Sequence, residues 1–205
     1  MQLDLRRLAP YIAGISAFFV VFNLFYTTTP YPFAIVTAED ITKFAPNAYV
    51  ASGDEPEKIV ATSSMWRGYK VMEYWYYWPY DGHVKKDDWE PIIVLVDGNS
   101  VKAVAHRIHY NWRVSYAFPT EDGKPVVSFM YLWHTPMLKV ESGYRKVTII
   151  PEIGEPPEDI NYNEVFGYGL LPTESALTAA LTYGFAAAVI TTVVFRDLLR
   201  DLLRV

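Results

Sequence analysis

The sequence predicts a mainly β fold: an antiparallel β-sandwich ectodomain with a short N-terminal helix, flanked by two transmembrane helices. Three observations carry this expectation. Two long uncharged apolar runs stand near the two ends of the 205 residues. Between them the chain is rich in Tyr, Trp, Val and Ile, in runs of strand length punctuated by Gly, Pro, Asn and Asp. The charges are also divided: of 23 acidic and 18 basic residues the two ends keep 3 and 5, which leaves the middle net -7.

The first run covers 8–26, LAPYIAGISAFFVVFNLFY, 19 residues preceded by Arg6 and Arg7. It is long enough to span a bilayer. It exceeds the ~7–15 residue core of a secretory signal, and TTTPYP after it is not a small-x-small cleavage site, so an uncleaved anchor is expected. The second run covers 175–195, 21 residues, and RDLLRDLLRV follows with Arg196, Arg200 and Arg204. Arginines at the outer end of each run place both termini in the cytoplasm under the positive-inside rule. The expected organisation is a cytoplasmic N-terminus at 1–7, a span at 8–26, an extracytoplasmic sandwich at 27–150, a Pro-rich acidic linker at 151–174, a span at 175–195 and a cytoplasmic amphipathic tail at 196–205. The expected location is the plasma membrane.

Small residues recur every fourth position in both runs: Ala9, Ala13 and Ala17, then Ala176, Ala180, Gly184, Ala188 and Thr192. Such a stripe lets another backbone approach closely. The partner is either the chain's own first helix or another subunit, and the greater length of the second stripe favours an additional transmembrane chain or self-association.

In the middle region strands are expected over 48–51, 59–63, 69–78, 90–96, 101–110, 113–118, 126–133 and 146–150. Asp97-Gly98-Asn99-Ser100 reads as a hairpin turn. One short helix is expected after Thr37, where Asp40 stands three residues beyond a candidate N-cap and Ile41 and Phe44 share a face, until Pro46 stops it.

Composition removes several function classes. With 20% charged residues, a net charge of -5 and a pI near 5.4, no basic surface is available for a phosphate backbone, so nucleic acid is excluded. The absence of cysteine excludes disulfide scaffolds, iron–sulfur sites, thiolate zinc sites and thiol nucleophiles.

Chemistry-bearing residues concentrate between Tyr76 and Glu90, in YYWPYDGHVKKDDWE. In a strand Asp88 and Glu90 share one face and Trp89 takes the other. The expectation is that Trp89 anchors in the core while both carboxylates project outward, with Asp81 and His83 approaching from the preceding loop. Hard oxygens with one imidazole suit Mg²⁺, Ca²⁺ or Mn²⁺. The plainer alternative is a solvated loop in which Lys85 and Lys86 pair with Asp87 and Asp88. His106, His109 and His134 fall in expected strands and read as satisfied sheet histidines. Among the aromatic run, Tyr76, Trp78 and Tyr80 are the candidate stacking surfaces for a ligand.

The string Y-W-P-Y-D-G-H followed by D-W-E resembles the core of the necrosis- and ethylene-inducing-like protein family, where a Pro-x-Asp loop leads into GHRHDWE. The segment AEDITKFAP from Ala38 to Pro46, with Tyr49 and Asp54-Glu55 after it, is similar to the K-F-x-P opening of that family and of vacuolar-sorting-associated relatives carrying H-x-x-D-W-E. The resemblance covers 38–135. It implies a β-sandwich in which Asp81, His83, Asp88 and Glu90 surround a divalent cation used to bind a sugar-bearing lipid head group. Two departures stand out. His83 and Asp88 are five apart rather than three, and two anchors are foreign to a secreted toxin.

The function expected from the sequence is therefore a membrane-anchored, non-enzymatic domain that binds a divalent cation and a sugar or lipid head group. The alternative is an accessory subunit of a larger membrane complex. A third reading, a metal-dependent hydrolase with Asp88 or Glu90 as base, has no nucleophile elbow, phosphate loop or HExxH motif behind it.

Overall fold

A computed structural model describes residues 5–27, 37–167, 170 and 173–202. Among the described residues eleven strands form two sheets whose facing sides enclose the main core. The larger sheet has the order β11-β2-β3-β4-β5-β6, built from β2 (Lys58–Trp66), β3 (Tyr69–Trp78), β4 (Asp88–Asp97), β5 (Ser100–Ile108), β6 (Asn111–Ser115) and β11 (Glu152–Ile153). The smaller sheet has the order β10-β1-β8-β7, with β9 also on β8. It contains β1 (Asn47–Val50), β7 (Thr120–Glu121), β8 (Lys124–Phe129), β9 (Pro136–Met137) and β10 (Arg145–Lys146).

The alternation of β3 decides the layers. Met72, Tyr74, Tyr76 and Trp78 enter the inter-sheet core with Val50, Ile92, Val94, Val127 and Phe129, while Val71 joins Ile93, Leu95 and Trp66 on the outer face. A strand buried on both faces reads as continuous apolar sequence rather than as alternation. That is why this run is so aromatic.

Helix α2 (Ala38–Phe44) begins as the sequence predicts. Thr37 Oγ1 accepts from the Asp40 backbone N–H at 3.1 Å, the Asp40 carboxylate accepts in return from Thr37 N, and Ile41 and Phe44 are buried.

Several expectations are corrected. The sandwich is not purely antiparallel: β1 runs parallel to β8, and β11 parallel to β2. The expected strand at 126–133 ends at Phe129, because Leu132 and His134 take positive φ values of 65° and 48° and turn the chain. The expected 146–150 strand contributes only its first residue, in β10. Residues 151–174 do more than link. Their β11 extends the larger sheet, and α3 (Tyr162–Phe166), capped by Asn161, buries Val165 and Phe166 against Trp66.

Helices α1 (Leu5–Thr27) and α4 (Glu174–Leu202) pack side by side and antiparallel. Among the described residues only Ala176–Leu198 is long and apolar enough to cross a membrane, whereas the apolar stretch of α1, Leu8–Leu24, falls short of that length. Ala176, Ala180 and Gly184 are buried. A side chain at Gly184 would meet Phe18, and one at Gly14 would meet Thr192 and the Ala188 carbonyl. Part of the small stripe of α4, at Gly184, Ala188 and Thr192, is thus met by the chain's own first helix. The outward faces, with Ile12, Ile15, Phe19, Val20, Phe185 and Ile190, are exposed.

Candidate functional site

The pairing of β3 with β4 sets Trp78 opposite Asp88 and Tyr76 opposite Glu90. Cross-strand partners share a face, so Asp88 and Glu90 point to the inter-sheet side, at the rim of the core. The shared parity of the two carboxylates follows the sequence, but the face is reversed. Trp89 lies outside, its ring 4.7 Å from that of Tyr77, with Lys58 Nζ 5.0 Å above Tyr77 and 5.3 Å above Trp89. The reason is the phase of β4, in which Ile92, Val94 and Val96 face the other sheet and carry Asp88 and Glu90 with them.

The histidine beside Asp88 is His134. Its Nδ1 lies 2.7 Å from Asp88 Oδ2 and its Nε2 3.3 Å from Asp54 Oδ1, and its side chain is 0% exposed. The ring stacks on Trp78 at 4.2 Å and an interplanar angle of 6°. Asp54 comes from the loop between β1 and β2. It accepts from Tyr80 O–H at 2.8 Å and from the Leu132 backbone N–H at 2.9 Å, while its own carbonyl accepts from Trp78 Nε1 at 2.9 Å. Both ring nitrogens of His134 face carboxylates, so neither is left to activate a nucleophile.

His83 lies elsewhere. Asp81 and Val84 exchange two backbone hydrogen bonds, of 2.9 and 3.1 Å, across a tight turn, and His83 is exposed at its tip. Gly82 in that turn has φ 61°, and a side chain there would press on the Trp133 ring at 3.1 Å. Among the described residues no three His, Asp or Glu side chains stand where they could hold one metal ion. Asp81, His83, Asp88 and Glu90 as placed do not fit the four-ligand set that the motif resemblance implies, because the longer link after His83 leaves it on a separate surface turn.

Two of the three stacking candidates are also corrected. Tyr76 and Trp78 are core residues, 1% and 0% exposed, and only the half-buried Tyr80 reaches the rim. His109 sits in a turn with φ 54° rather than in a strand. His106 does sit in β5, opposite Ile92 and so on the same face as Glu90.

The rim's electrostatics are unusual. Burial, with the charges of Asp88 and Asp81 adding to it and Arg107 opposing it, pushes the Glu90 carboxyl up to about 9. Burial pushes His106 down, and its Nδ1 has no hydrogen-bond partner. At neutral pH the rim therefore offers the Glu90 carboxyl O–H and the bare imidazole nitrogen of His106.

Asp54 and His134 were not legible as a pair. Nothing in the spacing of residues 80 apart marks them. The only local signal was the unusual density of Tyr, Trp and His in YLWHTP.

No family model and no curated protein matches the chain. Solved structures similar to it include NLPPya in complex with glucosamine, at 16% identity over 74% of this chain and 80% of that one, with a TM-score of 0.48. A non-toxic HaNLP3 protein matches at 14% over 62% and 80%, with a TM-score of 0.45. The Necrosis and Ethylene inducing Protein 2 from the causal agent of cocoa's witches' broom disease matches at 16% over 72% and 80%, with a TM-score of 0.40. These are the necrosis- and ethylene-inducing-like proteins whose motif the sequence resembles. At such identities and TM-scores below 0.5 the likeness assigns this chain neither membership nor function.

Proposed function

We propose that the chain is a membrane-anchored, non-enzymatic binding module that takes a neutral polyhydroxylated head group at the rim formed by Tyr80, Asp88, Glu90 and His106. The observation that carries this is the pairing of a neutral carboxyl, Glu90, with the unpartnered Nδ1 of His106 on one face at the open end of the core. A buried polar nitrogen without a partner costs about 1–3 kcal/mol, which a ligand hydroxyl would recover.

The anchor reading is supported by the apolar stretch of α4 and by the exposed apolar faces of the helix pair. Arginines at the outer ends support cytoplasmic termini. Thr173 and Ala176, at the head of α4, pack against Gly68 in the β2–β3 turn, while the rim lies at the other end of β3. Ten strand residues span about 30 Å. The rim thus stands away from the lipids around α1 and α4, and its ligand comes from the aqueous side or from a facing surface.

The test is calorimetric titration of the detergent-purified full chain with mannose, galactose and glucose. Saturable binding that is lost in His106→Phe and retained in Glu90→Gln is expected. No binding to any of the three, with a correctly folded chain, sinks the reading.

A further inference from the structure

The motif resemblance implies a cation among the carboxylates, and the residues do not fit one. We infer that His134 takes the cation's place: its ring bridges Asp54 and Asp88, so the rim is assembled by a histidine and is independent of divalent metal. This inference concerns how the site is built and stands whether or not the rim takes a sugar.

Three observations converge on it. Both ring nitrogens lie against carboxylate oxygens, at 2.7 and 3.3 Å, so one fully buried ring spans the two acids.

The second observation is strain. His134 and Leu132 both hold positive φ without being glycine, each at about 1–3 kcal/mol. The turn is clamped there by three bonds: Gly82 N–H to the Leu132 carbonyl at 2.7 Å, Leu132 N–H to Asp54 at 2.9 Å, and His134 N–H to the Met130 carbonyl at 2.8 Å. The surroundings therefore hold an unfavourable backbone in order to bring this ring between two acids.

The third is connectivity. The ring joins the loop after β1, through Asp54, to the first residue of β4, Asp88, and is seated on Trp78 at the end of β3. A structural metal would perform that same cross-linking. Tyr80 and the Leu132 N–H complete the shell of Asp54, leaving it few free lone pairs for a metal.

The decisive experiment uses the full chain in detergent. Wild type should melt at the same temperature in EDTA as in millimolar magnesium, calcium or manganese chloride, and calorimetry should show no saturable uptake of any of them. His134→Ala should lower the melting temperature by several degrees, and added calcium should restore part of the loss, because two bare carboxylates then face an open space. Should that variant fail to fold, the wild-type melts and metal titrations still decide the matter. Saturable metal uptake by wild type that Asp88→Asn abolishes would overturn the inference.

Discussion

Trp78 shows how one residue binds the core to the site. Its ring fills the inter-sheet core beside Tyr76 and Phe129, its Nε1–H satisfies the Asp54 carbonyl, and its face carries His134. Trp78→Ala should cost about 3–5 kcal/mol in a denaturant melt, with the rim lost as well. Trp78→Phe should keep most of the packing while freeing the carbonyl. Glu73 presents a different problem on the outer face. It is buried, and burial raises its carboxyl above the ordinary value although Tyr162 O–H and Trp75 Nε1–H both donate to it. A carboxyl raised in the folded state contributes stability that is complete below the ordinary carboxylate value and is lost as pH rises through the raised one. Melting curves from acid upward should therefore show stability falling once the ordinary carboxylate range is passed, and Glu73→Gln should flatten that slope. An unchanged slope in the variant would assign it to other groups.

Among the elements, α2 and the helix pair obey local rules that the chain spells out. The capping box at Thr37 satisfies two otherwise free backbone donors, so Thr37→Ala should cost about 1 kcal/mol. The α1–α4 contact depends on glycine at two crossing points, where a larger residue would drive into Thr192 or Phe18. Gly14→Leu and Gly184→Leu should separate the helices without preventing insertion, since leucine suits lipid better than glycine does.

Across the whole molecule, β3 runs from the β2–β3 turn packed against the head of α4 to the rim at its other end. On the proposed topology, Val84→Cys, exposed beside the site turn, should react with an impermeant maleimide added to intact cells. Asp197→Cys, near the end of α4, should stay protected until the cells are opened. The reverse pattern would invert the topology. The segment 151–167 matters at this scale too, because β11 and α3 close the outer face of the larger sheet. Deleting 151–167 should expose Trp66 and Phe166's seat and cause aggregation rather than merely shorten a tether.

Features that depend on near neighbours were readable from the chain. Thr37 and Asp40 are three apart, Gly98 lies inside its hairpin, Asp88 and Glu90 share parity, and Gly184 stands in a four-residue stripe, so each is fixed by the repeat of its own helix, turn or strand. What only the tertiary structure decided is which face each pattern meets. The phase of β4 against the second sheet sent Asp88 and Glu90 inward and Trp89 out, against the hydrophobic expectation for three residues taken alone. The choice of α1 as partner for α4 depended on a loop closure that no local pattern encodes. The meeting of Asp54, Asp88 and His134 joins residues up to 80 apart through two loops and a strand end. Sequence periodicity carries no term for such contacts, because they arise only when separate elements have packed and the buried charges must find partners.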